Sequence, residues 1–315
     1  MSGLFPFTPA ASQHAGHIDL LIGAFSLLVL LLAGPVFILI FAFAIRYRRG
    51  KKVDRSLNQG RNVWLEVSWS VIPFLLILAF FAIAARIYIH LREPPAGALP
   101  VSVVARQWMW KFQHPQGQAE INMLHVPTGQ PIRLTMTSQD VIHSLYIPAL
   151  RIKQDVLPGR YTDLWFTADR PGTYHLFCAE FCGTDHAVMG GSFVAMPPGD
   201  YATWLAGQTS NASLAVQGGT LYARLGCGAC HGGGAAVRAP SLKGLYGATV
   251  TLTDGQSVRA DDQYLRDAIL EPNKQQVAGY PPIMPTYRGV VDEAQAMALV
   301  AWLRTQRQVP EGQGR

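Results

Sequence analysis

The chain has 315 residues, of which 49% are hydrophobic and only 15% are charged, so it is long enough for two soluble domains and has a composition typical of a membrane protein. Its formal net charge of +6 does not indicate a nucleic-acid-binding surface, because residues 46–61 alone carry seven basic side chains against Asp54 and the rest of the chain sums to zero. A short basic stretch between apolar segments is instead a signal of membrane topology.

Two uncharged apolar runs lie in the first 96 residues: 20–45, with 26 residues, and 67–85, with 19. About 20 residues span the hydrocarbon core of a membrane, so residues 1–96 are predicted to form a two-helix transmembrane hairpin. The first run is too long for the core of a signal peptide and no Lys or Arg precedes it, so we expect it to be retained. The basic connector then lies in the cytoplasm, and both termini lie outside.

Residues 97–206 contain short β-prone stretches between turns and predict an all-β sandwich or barrel. The predicted strands are 101–112, 132–137, 161–166 and 173–177, and a short helix at 201–205 closes the domain. Residues 207–217 are rich in Ser, Gln and Ala and predict a linker.

The run C-A-E-F-C-G-T-D-H-A-V-M at 178–189 brings Cys178, Cys182, His186 and Met189 within twelve residues. Thiolate, imidazole and thioether ligands suit copper or zinc rather than magnesium or calcium. Two cysteines on so short a loop can bridge a pair of metal ions, whereas a blue-copper site needs only one cysteine. The loop therefore predicts a soft-metal site with two thiolates.

A second imidazole for this site must come from elsewhere in the β domain. His143 follows a predicted strand in a loop that could reach the cysteines, and His175, three residues before Cys178, is the strongest alternative. His114 precedes a proline and is predicted to lie in a surface turn. His125 sits in a strand-like stretch, where an exposed or packed histidine is the usual outcome.

Residues 218–315 contain C-G-A-C-H at 227–231, the signal for covalently attached c-type haem. Cys227 and Cys230 would form the thioethers and His231 would bind the iron. No histidine follows His231 in the sequence, so the second axial ligand is a methionine or is absent. Met297 falls on the apolar face of a predicted helix, whereas Met284 lies in the proline-stiffened run Y-P-P-I-M-P-T-Y and is the predicted ligand. Helices are predicted at 220–225, 263–270 and 293–304.

These motifs together resemble subunit II of the haem–copper oxidases. The resemblance covers L-E-V-S-W-S-V-I-P at 65–73, Q-W-M-W at 107–110, H-S-L-Y-I-P at 143–148, L-P-G-R at 157–160 and the 178–189 run. It implies a cupredoxin barrel carried on the transmembrane hairpin, with a dinuclear copper A site. Residues 221–304 resemble class I cytochrome c, which implies an all-α haem domain.

The same resemblance implies roles for individual residues. The implied copper A ligands are the side chains of His143, Cys178, Cys182, His186 and Met189 and the backbone carbonyl of Glu180. The carboxylate of Glu180 would also face a magnesium ion shared with the catalytic subunit. Trp108 would be the point at which electrons reach the copper site, with a packed aromatic as the alternative. Glu66 would lie by the mouth of a proton channel in the catalytic subunit, with a solvated helix end as the alternative.

A cytochrome c domain behind a copper A domain is similar to the caa-type oxidases of the bacterial plasma membrane. This implies that electrons pass from a donor cytochrome or respiratory complex to haem c, to copper A and to haem a of subunit I. Oxygen reduction and proton pumping would occur in subunit I, and subunit III would be a further partner. Quinol oxidases of the same superfamily lack the two cysteines of the loop, so a quinol-oxidising subunit is disfavoured.

Other functions stay open at the level of sequence. One is a stand-alone, membrane-anchored redox shuttle or sensor, and another is the electron-input subunit of a copper-A-containing nitric oxide reductase. A thiol–disulfide copper chaperone also uses C-x-x-x-C, but it needs neither a haem nor a ligand such as Met189. Two local disulfides in an exported protein would explain neither His231 after Cys230 nor His186 after Cys182.

Overall fold

The computed structural model describes residues 9–53, 62–208, 213–232 and 239–306. The chain forms two compact units, one of residues 13–93 and the other of residues up to Ser12 together with those from Pro94 onward. Arg55 and Arg61 of the basic connector, residues 209–212 of the predicted linker and the C-terminal residues 307–315 lie outside the described residues.

The first unit is a pair of long helices, α1 (Gln13–Arg46) and α2 (Val63–His90). The Asn62 side chain caps α2 by accepting a hydrogen bond from the Leu65 N–H at 3.2 Å, which satisfies one free donor of the first turn. Both helices are long and apolar enough to cross a membrane, and none of their most apolar window is buried by protein. A helix that is hydrophobic all round requires an apolar surrounding, so the two predicted segments are helices capable of spanning a membrane.

The second unit begins with a β-sandwich of two five-stranded sheets in the orders β3-β2-β1-β5-β8 and β4-β10-β9-β6-β7. The strands are β1 (Leu99–Arg106), β2 (Met109–Gln113), β3 (Ala119–Ile121), β4 (Met123–Pro127), β5 (Pro131–Ser138), β6 (His143–Ile147), β7 (Ile152–Val156), β8 (Thr162–Thr167), β9 (Gly172–Cys178) and β10 (Gly190–Met196). Helix α3 (Pro198–Gly207) follows the last strand. The all-β domain is therefore confirmed.

The predicted strand 101–112 is two antiparallel strands, with a turn at Gln107 and Trp108. The turn contains neither Gly nor Pro, so the sequence pattern carried no signal for it. The reversal brings Trp110 opposite Ala105 and Phe112 opposite Val103, and all four side chains are buried. The sandwich core is filled by these aromatic rings and by further large side chains, among them Phe166, Phe193, Leu124, Leu134 and Leu145.

The haem domain is helical, as the resemblance implies. Its helices are α4 (Leu214–Arg224), α5 (Gly228–His231), α6 (Asp262–Leu270) and α7 (Glu293–Thr305), and a two-stranded ribbon of β11 (Thr249–Thr251) and β12 (Ser257–Arg259) is added to them. Helix α4 begins inside the predicted linker, where the Ser213 hydroxyl caps it. Asp292 caps α7 in a capping box with Gln295, as its sequence predicts. The rings of Tyr222 and Trp302 join α4 to α7 at 4.3 Å.

Candidate metal centre and haem pocket

The 178–189 loop connects β9 to β10 at one end of the sandwich. The Cys178 N–H donates to the Met189 carbonyl at 3.0 Å, which closes the base of the loop. The Ala179 N–H donates to the carbonyl of Ser144 in β6 at 2.9 Å. These bonds fix the loop against the neighbouring strand, which begins with His143.

The four sulfur and imidazole groups of this loop and His143 converge on one point. The two thiol sulfurs of Cys178 and Cys182 are 3.8 Å apart, and both cysteines are buried and free of disulfides. His143 Nδ1 lies 4.0 Å from the Cys178 sulfur. His186 Nδ1 lies 3.5 Å and the Met189 sulfur 3.6 Å from the Cys182 sulfur. Each cysteine therefore has its own imidazole beside it.

The Glu180 carbonyl oxygen adds an oxygen donor 3.3 Å from the Cys178 sulfur, while the residue itself is exposed. The carbonyl is therefore directed at the thiol pair although most of Glu180 faces solvent. The structure brings together all six residues that the resemblance implies as ligands.

Asp140 orients His143, and sequence reasoning missed it. Its carboxylate accepts a hydrogen bond from His143 Nε2 at 2.8 Å, which leaves Nδ1 with a lone pair toward Cys178. Such a carboxylate behind an imidazole selects its tautomer and its ring orientation. The only sequence signal was the position of Asp140, three residues before His143.

The two thiols differ in acidity because they share one buried site. Burial alone would raise the pKa of Cys178, but its hydrogen bonds, first of all with His143, outweigh burial and lower it. The pKa of Cys182 is raised by burial and by the neighbouring Cys178. The lowered pKa of Cys178 corresponds to a protonated His143 whose Nδ1–H donates to the thiolate. When His143 is neutral, its Nδ1 lone pair and the thiolate can both bind a metal.

The rival histidines lie away from the thiols. His175 sits on β9 opposite Ser192 of β10, is exposed and contacts the Phe177 ring at 4.1 Å. It is three residues from Cys178, so the alternation of a strand places the two side chains on opposite faces.

The prediction that His114 lies in a surface turn is wrong, because His114 is 0% exposed. Its Nε2 lies 2.9 Å from the Glu120 carboxylate and its Nδ1 3.1 Å from the Tyr201 hydroxyl of α3. His125 shares the same carboxylate and stacks on Trp204 at 4.5 Å. A buried carboxylate and an aromatic helix cover both imidazoles, and sequence alone did not show that α3 folds back over them.

Trp108 packs beside the cysteine loop. A Cβ atom added at Gly183, whose φ is +117°, would lie 3.3 Å from the Trp108 ring and 2.8 Å from Gln107 Nε2. Gln107 Nε2 donates to the Cys182 carbonyl at 2.8 Å. The turn at Gln107 and Trp108 therefore packs against the loop at Cys182 and Gly183. Glu66, the other residue to which the resemblance assigns a role, lies in the first turn of α2.

The haem domain encloses a cavity of about 690 Å³ that is lined by Cys227, Cys230, His231 and Met284. His231 Nδ1 donates to the Pro240 carbonyl at 2.9 Å, so Nε2 keeps its lone pair. Met297 is buried in α7 and is not among the side chains that line this cavity. The cavity thus brings the C-x-x-C-H motif together with one methionine.

Both donor sets fit the groups that the motifs imply. The loop offers two thiols, two imidazoles, a thioether and a carbonyl around one point, which is a soft, copper-type environment. The cavity offers two thiols for thioethers and an imidazole and a thioether for iron.

Comparison with known proteins finds relatives of both domains. The family model of the periplasmic domain of cytochrome c oxidase subunit II matches residues 118–195, and that of cytochrome c matches residues 215–307. Cytochrome c oxidase subunit 2 of Alkalihalophilus pseudofirmus is 28% identical over 285 residues, which cover 86% of this chain and 81% of that protein. The same subunit of Synechocystis sp. is 30% identical over 257 residues, which cover 65% of this chain and 75% of that protein. The crystal structure of the periplasmic domain of subunit II of cytochrome oxidase of Bradyrhizobium japonicum is 29% identical, covers 36% of this chain and 95% of that one, and has a TM-score of 0.35. The chain belongs to the cytochrome c oxidase subunit II family and carries a cytochrome c domain behind its copper domain.

Proposed function

We propose that this chain is the electron-input subunit of a bacterial caa-type cytochrome c oxidase, a proton-translocating oxidoreductase whose oxygen site lies in another subunit. Electrons would pass from a donor through haem c and copper A of this chain to haem a of subunit I. The observation that carries the proposal is the pair of buried free thiols, 3.8 Å apart. It lies in the same compact unit as the C-x-x-C-H cavity.

The convergent donors support a dinuclear copper A centre. The proposed ligands are His143, Cys178, Cys182, His186, Met189 and the carbonyl of Glu180. Bound there, copper A and haem c would each take up and release one electron at a time. The chain contributes rigidity, since the loop base is closed by backbone hydrogen bonds and Asp140 holds His143. A rigid ligand set changes little on reduction, which favours fast electron transfer.

The cavity in the haem domain supports covalent haem c. Cys227 and Cys230 would form thioethers to the haem, and His231 and Met284 would bind its iron. The hydrogen bond from His231 Nδ1 to Pro240 holds the imidazole ring in one orientation. A methionine opposite a histidine raises the potential and makes an electron carrier.

Exposed apolar side chains around the copper loop support a partner subunit. Phe181 is 76% and Val188 78% exposed, and Val141 and Ile142 add to the same end of the sandwich. Large contiguous apolar patches on a protein surface mark interaction sites. We assign this patch to subunit I, with the Glu180 carboxylate at its edge placed for a shared magnesium ion. Subunit III would complete the complex.

The N-terminal segment supports the proposed orientation in the membrane. The Ala11 N–H donates to the Ala149 carbonyl at 2.8 Å, and the Asp169 N–H donates to the Ala11 carbonyl at 2.9 Å. The residues before α1 thus bind the sandwich that follows α2. Both ends of a two-helix hairpin lie on one side of a membrane, so the N-terminus and the redox domains would be periplasmic. Glu66 would then face the cytoplasm, the side from which a proton channel takes up protons.

Trp108 is the proposed point at which electrons reach the copper loop, supported by its contact with Gly183. We expect Trp108→Phe to leave the copper signal intact and to slow the reduction of copper A by haem c. Unchanged reduction kinetics would assign Trp108 to packing.

The proposal is tested by isolating the tagged chain from its native membranes in mild detergent. We expect haem a to copurify with haem c and the preparation to consume oxygen with a cytochrome or dithiol-reduced mediator as donor. Recovery of the chain with haem c and copper but without haem a would instead favour a stand-alone redox shuttle. Reduction of nitric oxide in place of oxygen would favour a nitric oxide reductase.

A further inference from the structure

Helix α6 separates the haem cavity from the copper domain. Tyr264, Leu265, Ala268 and Ile269 line the cavity on one face of the helix. Gln263, Arg266 and Asp267 recur at the i, i+3 and i+4 spacing of the other face. This nine-residue helix therefore serves both the haem pocket and the surface that packs against its outer face.

The outer face of α6 contacts the loop between β7 and β8 of the copper domain. Arg266 Nη1 donates to the Gly159 carbonyl at 2.7 Å. The Tyr161 N–H donates to Gln263 Oε1 at 2.6 Å. The Arg266 guanidinium also lies 5.8 Å from the centre of the Tyr161 ring. These contacts join residues that are more than a hundred positions apart in the chain, and their acceptor and donor on the copper side belong to the backbone.

Arg266 is held in place from within the haem domain. Only 3% of Arg266 is exposed, its Nε donates to Glu293 of α7 at 2.9 Å, and its Nη1 lies 3.1 Å from Asp267. A buried guanidinium must have its charge paired and its donors satisfied. Two carboxylates neutralise it, and the Gly159 carbonyl accepts one of its remaining N–H bonds. Separation of the two domains would break the hydrogen bond between the Arg266 N–H and the Gly159 carbonyl and would expose both groups.

The docked loop leads directly to the copper ligand His143. Val156, the last residue of β7, is paired with His143 across the β6–β7 ladder. The carbonyl of Leu157 accepts a hydrogen bond from the Ser138 N–H. The Ser138 hydroxyl in turn donates to Asp140, the carboxylate that orients His143. The contact with α6 therefore lies at the metal end of the sandwich.

A polar cleft continues the contact between the two domains. It is lined by Arg133, Tyr161 and Asp163 from the copper domain and by Tyr246, Asp262 and Gln263 from the haem domain. Arg133 pairs with Asp163 through two hydrogen bonds of 3.0 and 2.9 Å. Polar interfaces of this kind are typical of domains that dock within one chain.

We propose that the outer face of α6 is a docking surface that holds the haem domain on the 157–161 loop, so that the two cofactor sites keep one fixed arrangement. The alternative is a haem domain that moves freely on its linker and meets the copper domain by diffusion. The purpose of the docking rests on the relay proposed above, but the contact itself involves no proposed cofactor ligand.

The docking is tested by amide hydrogen exchange of the full-length chain, loaded with haem and copper, in detergent. Gln263 is half-buried, and Gln263→Ala removes the acceptor of the Tyr161 N–H. The variant also removes the hydrogen bond from Gln263 Nε2 to Asp267, but it keeps both carboxylates that pair with Arg266. We expect exchange over residues 157–161 to become about tenfold faster or more, because this amide loses its hydrogen bond. Gln256→Ala, at an exposed glutamine of the same domain, is the matched control and should leave this exchange unchanged.

Exchange in α7 reports whether the haem domain stays folded in the variants. Unchanged protection of residues 157–161 in Gln263→Ala, and also in the bulkier Gln263→Arg, would overturn the docking surface. Faster exchange at 157–161 with α7 still protected supports it.

A separate experiment tests the role of docking in the relay. It measures the rate at which photoreduced haem c passes one electron to copper A. We expect this rate to fall in Gln263→Arg and to hold in Gln256→Ala. Transfer at the wild-type rate from an undocked haem domain would overturn the positioning role. If electrons fail to pass even in the wild-type chain while the exchange results hold, the docking surface stands and the proposed relay is wrong.

Discussion

Cys178 and Cys182 face each other across one turn of the loop with their sulfur atoms 3.8 Å apart. This distance is far beyond the S–S bond of about 2.05 Å in a disulfide, and it leaves both sulfurs free to share metal ions. Each sulfur has a different imidazole beside it, His143 for Cys178 and His186 for Cys182. This two-fold arrangement of donors separates the site from a blue-copper centre with its single cysteine.

Replacing His143 with Ala should abolish the dinuclear copper signal, because it removes the imidazole nearest to Cys178. His175→Ala is the matched control, since His175 is exposed on the opposite face of β9. Copper content and the paramagnetic resonance spectrum of the two purified variants check the prediction. Loss of the signal in His175→Ala and its survival in His143→Ala would reverse the assignment.

Met284→Ala should convert the haem from a low-spin, six-coordinate form to a high-spin form, because it removes the thioether in the cavity. Met297→Leu, in the buried face of α7, should keep the low-spin spectrum and cost less than about 1.5 kcal/mol of stability. Absorption spectra of the oxidised and reduced chains distinguish the two. A low-spin haem in Met284→Ala would mean that another group binds the iron.

Most of the ligand set was predictable because its members are close in sequence or stand in recognisable motifs. The 178–189 run and C-G-A-C-H needed no tertiary information. The contributions of Asp140 and of the turn at Gln107 were not predictable, since they act through contacts that only the folded sandwich creates. The split of the predicted strand 101–112 was not predictable because its turn contains neither Gly nor Pro. The burial of His114 was not predictable because no local sequence pattern shows that α3 folds back over it.

Gly183→Ala should destabilise the copper loop by about 1–3 kcal/mol, because φ is +117° and the new Cβ would press on Gln107 and Trp108. Gly129→Ala also places a side chain at a positive φ, of +77°, but its Cβ meets open space, so it reports the cost of a positive φ without a steric contact. Chemical denaturation of both variants, with copper bound, gives the comparison. Equal losses in the two variants would show that the contact with Trp108 has no energetic weight.

Glu120 should make the stability of the copper domain depend on pH. Burial alone would raise the pKa of Glu120, but hydrogen bonds with His114 and His125 lower it below its ordinary value of 4.5. A carboxyl whose pKa is depressed by folding stabilises the fold above its unfolded pKa, and this contribution is lost as the pH falls through the folded pKa.

Glu120→Gln should therefore be less stable than the wild type by about 1–3 kcal/mol at neutral pH. The difference should persist down to about pH 4.5, the ordinary pKa of the group, and close below it. Denaturation midpoints of both proteins across this range check the prediction. A stability difference between the two proteins that stays constant to the most acidic pH, or that is absent at neutral pH, would show that the ionisation of Glu120 is not coupled to folding.

The dinuclear copper site is tested most directly by the paramagnetic resonance spectrum of the purified, copper-loaded full-length chain, with the haem signal recorded separately. One unpaired electron shared equally by two copper nuclei bridged by Cys178 and Cys182 predicts a seven-line hyperfine pattern, with two coppers bound per chain. A four-line pattern from a single copper would contradict a dinuclear site held by the two thiols.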